Sequence, residues 1–151
     1  MPFDAPFRLG PFSVDAEGRL SPVDPATGPS FRFRWHGRTV HVRFEPAASG
    51  EGRLTLEVEL ARVQSTACSR DETVRPRCFA ALRRLERIVP PTWQVALLAD
   101  HRIWLEAERH IGLPITATGL VTELTHFALE LAPYLELMDE VGLTVADTRR
   151  R

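Results

Sequence analysis

Between residues 31 and 62 the chain alternates apolar and polar side chains with a period of two, in three consecutive segments. Successive side chains of a β-strand point to opposite faces, so this pattern predicts three strands of a sheet that is buried on one side. Gly37-Arg38 separates the first two segments and suits a two-residue type II′ turn, which places Trp35 opposite Val40. The same register pairs Phe33 with Val42 and Phe31 with Phe44.

The polar face of these strands carries arginines and glutamates that must lie side by side. The predicted turn sets Arg32 opposite Arg43, which is unfavourable unless opposite charges lie close. The third segment, residues 53–62, pairs beside residues 40–44 and brings Glu57 among the arginines. Its core-facing residues are then Leu54, Leu56, Val58 and Leu60.

Two later segments have the period of amphipathic helices. The first begins near a Thr73 cap and ends at Pro90-Pro91, and the second runs from a cap at Thr116 or Thr118 to about Val141, with Gly142 in the C′ position. The first apolar stripe is Cys78, Ala81, Leu82, Leu85, Ile88 and Val89. The second is Leu120, Leu124, Phe127, Leu131, Leu135 and Met138.

A second hairpin lies between the helices. Trp93, Val95 and Leu97 alternate into one strand, and the chain returns in a second strand on which Ile103, Leu105 and Ala107 share the matching face. Antiparallel neighbours with helices free to cover one face indicate an α+β protein.

The 151 residues suit one domain, residues 1–151, with a single core. Residues 1–30 are predicted as one or two short strands and a loop, and residues 147–151 as a frayed tail. The predicted order is therefore three strands, a helix, a two-strand hairpin and a long C-terminal helix, which makes an antiparallel sheet of about five strands.

This order, and the stretch from Leu97 to Glu140 above all, resembles the class I type III secretion chaperones and their YbjN-like relatives. There a hydrophobic hairpin, residues 95–109, passes through Gly112-Leu113-Pro114 into a long amphipathic helix. The resemblance implies a curved antiparallel sheet with packed helices, and a cytoplasmic binding protein that is commonly a homodimer and has no catalytic residues. The family usually opens with an amphipathic helix, whereas residues 1–30 look like strand and loop.

Catalytic motifs are absent, which favours a non-catalytic protein with no cofactor and no metal site. The chain has no Gly-rich phosphate loop, no nucleophile elbow and no H-E-x-x-H. Glu123 and His126 share a helix face, but a di-iron site needs two such pairs. Glu106, Glu108 and His110 lie at alternate positions of one strand, a pattern that any half-exposed strand produces. The alternative function is a small-molecule-binding protein or enzyme that uses a pocket between sheet and helices.

Charge and hydropathy limit the partners and the compartment. A net charge of −1 at pH 7 gives no overall attraction to nucleic acid or to anionic membranes. No run approaches the about 18 apolar residues of a membrane span, and the first ten residues lack the pattern of a signal peptide, so a cytoplasmic location is expected. In that compartment Cys68 and Cys78 are expected as lone thiols, with a redox role left open. Arg83, Arg84 and Arg87 form a basic helix face that is either solvated or attracts an acidic partner.

Several apolar residues fall on faces that should be polar. Trp104 lies among outward-facing charges near Ala96 and Leu98, while Leu129 and Leu137 leave the stripe of the last helix. Tryptophan is enriched at interface hot spots. These five residues therefore predict contact with a protein partner or with a second copy of the chain, in a homodimer. The alternative is that a helix covers Trp104.

Overall fold

The computed structural model describes residues 5–63 and 72–141. Within them the chain forms eight strands and two helices. The strands are β1 (Phe7–Leu9), β2 (Phe12–Val14), β3 (Leu20–Pro22), β4 (Ser30–Trp35), β5 (Arg38–Pro46), β6 (Glu51–Arg62), β7 (Trp93–Leu97) and β8 (Arg102–Gly112), and the helices are α1 (Val74–Ile88) and α2 (Ala117–Glu140).

The strands form two antiparallel sheets. The larger has the order β4-β5-β6-β8-β7, and the smaller joins β1, β2 and β3. The predicted α+β architecture, with three strands, a helix, a hairpin and a long last helix, is confirmed. The N-terminal region holds three short strands where one or two were expected.

One face of the large sheet is buried under both helices. Leu54, Leu56, Val58 and Leu60 are fully buried there, as the alternation predicted. From α2, the Phe127 ring packs against the Trp93 ring with centroids 5.2 Å apart. Burying one such side chain contributes roughly 1.5–3 kcal/mol, so this face is a large source of stability.

The register of the β4–β5 hairpin differs from the predicted one by two residues. The turn is His36-Gly37, with φ of 46° and 75°, and Trp35 faces Arg38 instead of Val40. Two positive φ angles are the mark of a type I′ turn, which matches the twist of the strands, so the predicted type II′ turn at Gly37-Arg38 was wrong. A shift of two residues is one full side-chain period, so the core face is unchanged. The other core pairs are Phe33 with Val40 and Phe31 with Val42.

The corrected register also removes the predicted clash of like charges. Arg32 faces His41 and not Arg43. Arg43 lies 3.3 Å from Glu45 and 4.0 Å from Glu57, so a carboxylate of β6 does reach the arginine of β5.

Two arginines on the helix-facing side of the large sheet hold α2. Arg38, which the observed register places in β5 and not in the turn, bonds Asp139 near the end of α2 at 2.7 Å. Arg109 of β8 lies 3.4 Å from Glu123, in the first half of the helix, and 2.5 Å from Glu130, near its middle. These ion pairs fix the position of α2 along the sheet. Apolar contacts alone would specify that position weakly, because they are not directional.

The helix limits agree with the predictions, and two details of α1 differ. The Thr73 side chain makes no capping hydrogen bond for α1, and Ile88, predicted in the apolar stripe, is 48% exposed at the end of that helix. The α2 cap is Thr116, whose hydroxyl accepts a hydrogen bond from the Gly119 N–H at 3.0 Å. Gly142, Cys68 and the tail at 147–151 lie outside the described residues.

Candidate interaction surface

The face of the large sheet that lies opposite the helices is polar, and we call it the open face. Both described helices pack on the other side, where the buried core lies. A helix over Trp104 is therefore not formed by the described residues. The side chains of the open face include Arg32 and Arg34 of β4, His41 and Arg43 of β5, Thr55, Glu57 and Glu59 of β6, Trp104, Glu106 and Glu108 of β8, and Gln94 and Ala96 of β7.

Trp104 is half-buried on this face because neighbouring side chains lean on its ring. His41 stacks on it with centroids 6.4 Å apart and an interplanar angle of 26°, although β6 separates the two strands. The Arg102 guanidinium lies 5.5 Å from the ring centroid, within cation–π range. Ala96 is its cross-strand neighbour on β7. These contacts hold the ring in place with one side toward solvent, which is how interface anchors are presented.

The charges of the open face are partly separated across the sheet. The β4 and β5 side is mainly basic, with Arg32, Arg34 and Arg43 beside Glu45, and the β6 and β8 side is mainly acidic, with Glu57, Glu59, Glu106 and Glu108 beside Arg53 and Arg102. Opposite charges on the two halves of one face are complementary to a second copy that is turned by a two-fold rotation.

Arginine–carboxylate pairs also line the end of this face. The hydrogen bond from Arg53 lowers the pKa of the Glu45 carboxyl, so that group stays ionised in mildly acidic solution.

Only part of the predicted interaction set lies together. Ala96, Leu98 and Trp104 are close, with the Leu98 N–H donating to the Arg102 carbonyl at 2.8 Å in the turn after β7. Leu129 is 59% exposed but lies on α2, on the opposite side of the sheet. Leu137 also lies on α2, where it is partly buried against the core. The patch is therefore Ala96, Leu98 and Trp104, which we call the Trp104 patch.

The arginines of the basic helix face lie at exposed positions of α1. Arg83, Arg84 and Arg87 are all exposed, and none of them pairs with a carboxylate of the described chain. A bare arginine row of this kind is ordinarily solvated, so it is a useful control surface in experiments on the open face.

The candidate polar residues gather in part at a groove of about 440 Å³ beside the start of β7. Glu108, His110 and Glu123 line it, whereas exposed His126 does not. Arg109 sits among them and neutralises Glu123, which suits a structural ion pair better than proton transfer. Within residues 5–63 and 72–141 no three histidine, cysteine or acidic side chains come together as a metal site.

Two contributors to these sites escaped the sequence analysis. Nothing in the spacing relates His41 to Trp104, because they meet across an intervening strand. Arg38 was read as a turn residue, and only the true register turns it toward the core.

The fold and this surface define an α+β protein with a five-stranded antiparallel sheet whose helices lie on one side. Comparison of the chain with known protein families, with curated proteins and with solved structures found no match. Neither described helix is long and apolar enough to cross a membrane.

Proposed function

We propose that this chain is a non-catalytic protein-interaction module of the cytoplasm that associates with itself through β7 and the Trp104 patch. The observation that carries the proposal is the position of Trp104, anchored by His41 and Arg102 on the side of the sheet away from the helices. Leaving an indole partly in water is costly, and a second copy covers it on both subunits at once.

The neighbouring edge strand supports this choice of contact. Among the described strands β7 pairs only with β8, and its sequence from Trp93 to Leu97 holds no charge and no proline. Natural proteins protect free edges with charged residues and prolines. An edge strand that lacks both is therefore suited to pairing with another strand. Two β7 strands related by a two-fold axis would extend the sheet and bring both Trp104 patches to the contact.

The resemblance to the secretion chaperones supports self-association as well, because those proteins are commonly homodimers. Their effector binding is not carried over to this chain. Residues 7–22 form short strands where that family has an amphipathic helix that contributes to the effector surface.

Light scattering coupled to size exclusion, across a dilution series, tests the dimer. We expect a mass near twice the 17.0 kDa of the monomer at tens of micromolar protein. Trp104→Ala should weaken the dimer by about 2 kcal/mol, roughly thirtyfold in Kd. Leu129→Ala is the matched control, since it removes an exposed apolar side chain on the opposite side of the sheet.

Two outcomes would change the proposal. A monomeric mass at that concentration rejects self-association. A dimer that resists Trp104→Ala but is broken by Ala96→Arg would place the contact at the β7 edge without the tryptophan.

The groove at Glu108, His110 and Glu123 supports a second candidate function, the binding of a small molecule between sheet and helix. A thermal-shift screen with small charged molecules, followed by titration of any hit, tests this candidate. Saturable binding that His110→Ala abolishes and His126→Ala preserves would favour it over the interaction module, because His126 lies outside the groove.

A further inference from the structure

The opposite edge of the large sheet, β4, has the features of a strand that receives an extended peptide. β4 hydrogen-bonds to β5 alone, so one side of its backbone has no strand beside it among the described residues. Peptide recognition by strand addition uses such an edge, with main-chain hydrogen bonds for affinity and alternate side chains for specificity.

The hairpin register shows which backbone groups face the free edge. Trp35 and Arg38 flank the two-residue turn and form a hydrogen-bonded pair, so the odd-numbered residues of β4 bond to β5. The bond from the Phe44 N–H to the Pro29 carbonyl, at 2.9 Å, continues that pattern. The N–H and C=O groups that point away from β5 therefore belong to Ser30, Arg32 and Arg34.

Two of these three residues, Arg32 and Arg34, have cationic side chains. Arg32 and Arg34 are exposed on the open face, about 7 Å apart along the strand. Among the described residues Arg32 has no ion-pair or hydrogen-bond partner, and Arg34 bonds only the Gly37 carbonyl, at 3.2 Å. A carboxylate of a partner that binds Arg32 or Arg34 would therefore displace water, and no existing ion pair of these arginines would have to break.

A groove beside Arg32 has room for the acidic side chain of a partner. It measures about 420 Å³, and its polar lining is Ser30, Arg32, His41, Arg43, Thr55 and one carboxylate, Glu57, which lies 4.0 Å from Arg43 and is partly neutralised by it. Hydroxyl, imidazole and guanidinium donors are suited to a carboxylate.

We infer that β4 binds an extended acidic segment of a partner protein as an added sixth strand, with carboxylates at alternate positions against Arg32 and Arg34. The two-residue spacing of an added strand equals that of the two arginines, so an acid-x-acid pattern matches them in register. The inference deepens the proposed function by naming the chemistry of a partner, and it rests on the chain being a protein-binding module. β4 and the Trp104 patch lie toward opposite edges of the sheet, so dimer formation and peptide binding can be measured separately.

Fluorescence anisotropy with labelled peptides of about eight residues tests the inference on the full chain. The probe has glutamates alternating with threonine and valine, and its control has glutamine in place of every glutamate. We expect saturable binding of the acidic probe only. Arg32→Gln with Arg34→Gln should weaken that binding about tenfold, whereas Arg83→Gln with Arg87→Gln makes the same charge change on α1 and should leave it unchanged.

Backbone methylation of the probe distinguishes strand addition from charge attraction. Methylating alternate amides of the probe blocks the hydrogen bonds of one of its edges, so one alternate set should abolish binding and the other should preserve it.

Four outcomes would overturn the inference. These are no binding to the full chain, equal binding of both methylated probes, equal loss in the α1 variant, or displacement of the probe by a DNA oligonucleotide at lower concentration. A monomeric protein that binds the probe would reject the dimer and keep this inference, and a dimer that binds no probe would do the reverse.

Discussion

Arg38 and Asp139 are 101 residues apart in the chain, and their side chains meet at 2.7 Å. The Arg38 side chain is only 6% exposed, while that of Asp139 is 51% exposed. Arg38 also donates to the carbonyls of Leu60 and His36, both at 3.1 Å. Leu60 is the residue that the β6–β8 register skips, so the guanidinium satisfies a carbonyl at a bulge and ties the first hairpin to the end of α2.

Because Arg38 is buried and Asp139 is half-exposed, substitutions at the two residues should change the free energy of unfolding by unequal amounts. Arg38→Met leaves the buried Leu60 carbonyl unpaired and should lower the free energy of unfolding by about 2–3 kcal/mol. Asp139→Asn should cost about 1 kcal/mol, because water can reach Arg38 where the exposed carboxylate was. Urea titration followed by circular dichroism measures both. Arg83→Met, on the exposed face of α1, is the control and should stay within about 0.5 kcal/mol of the parent. Equal losses at Arg38 and Asp139 would show that the ion pair, and not the carbonyl bonds, dominates.

The type I′ turn makes a second prediction. Gly37 has φ of 75°, where a side chain is strained, so Gly37→Ala should lower the free energy of unfolding by about 1 kcal/mol. His36→Asn should raise it by a few tenths, because Asn-Gly is a favoured pair for this turn. Gly112→Ala is the control, since a Cβ there meets nothing within 4 Å and its φ is not positive. Thermal and urea unfolding both report these changes. A neutral Gly37→Ala together with a costly Gly112→Ala would contradict the turn assignment.

Cys78 gives a prediction that depends on pH. Burial raises the pKa of this thiol, so the native state keeps it protonated at pH values where an exposed thiol ionises. In a Cys68→Ser background, labelling by a thiol reagent should be slower by about hundredfold or more in the native protein than in urea. A thiol that reacts at the same rate with and without urea would place Cys78 at the surface.

The sign of the stability change follows from the raised pKa. The stability that a buried neutral thiol contributes is present below the ordinary thiol pKa and is lost as the pH rises toward the raised value. The free-energy difference between the Cys68→Ser protein and its Cys78→Ala derivative should therefore shrink from about pH 8 to about pH 10. A difference that grows over this range would contradict the assignment.

Residues whose environment is set by a local period were predictable. Leu54, Phe127 and Leu131 were placed in the core from alternation or helical spacing alone, because burial of an apolar face depends on which residues share it. The second hairpin was read correctly for the same reason, including the Ala96–Trp104 neighbours.

The candidate site was less predictable because its contacts cross strands that are not neighbours in the chain. His41 reaches Trp104 over β6, and no spacing in the sequence encodes that distance. Leu137 lies outside the apolar stripe by helical phase, and the structure places it partly buried at the margin of the core.

By itself the sequence determined the kind and order of the elements and the face that each strand buries, because these follow from periods of two and 3.6 residues within short segments. Only the tertiary structure decided the hairpin register and hence the burial of Arg38. A shift of two residues leaves every side chain of the hairpin on the same face, so the hydrophobic pattern cannot distinguish the two registers. The choice depended on the turn geometry at His36-Gly37 and on Asp139, a carboxylate near the far end of the described chain, which only folding brings to Arg38.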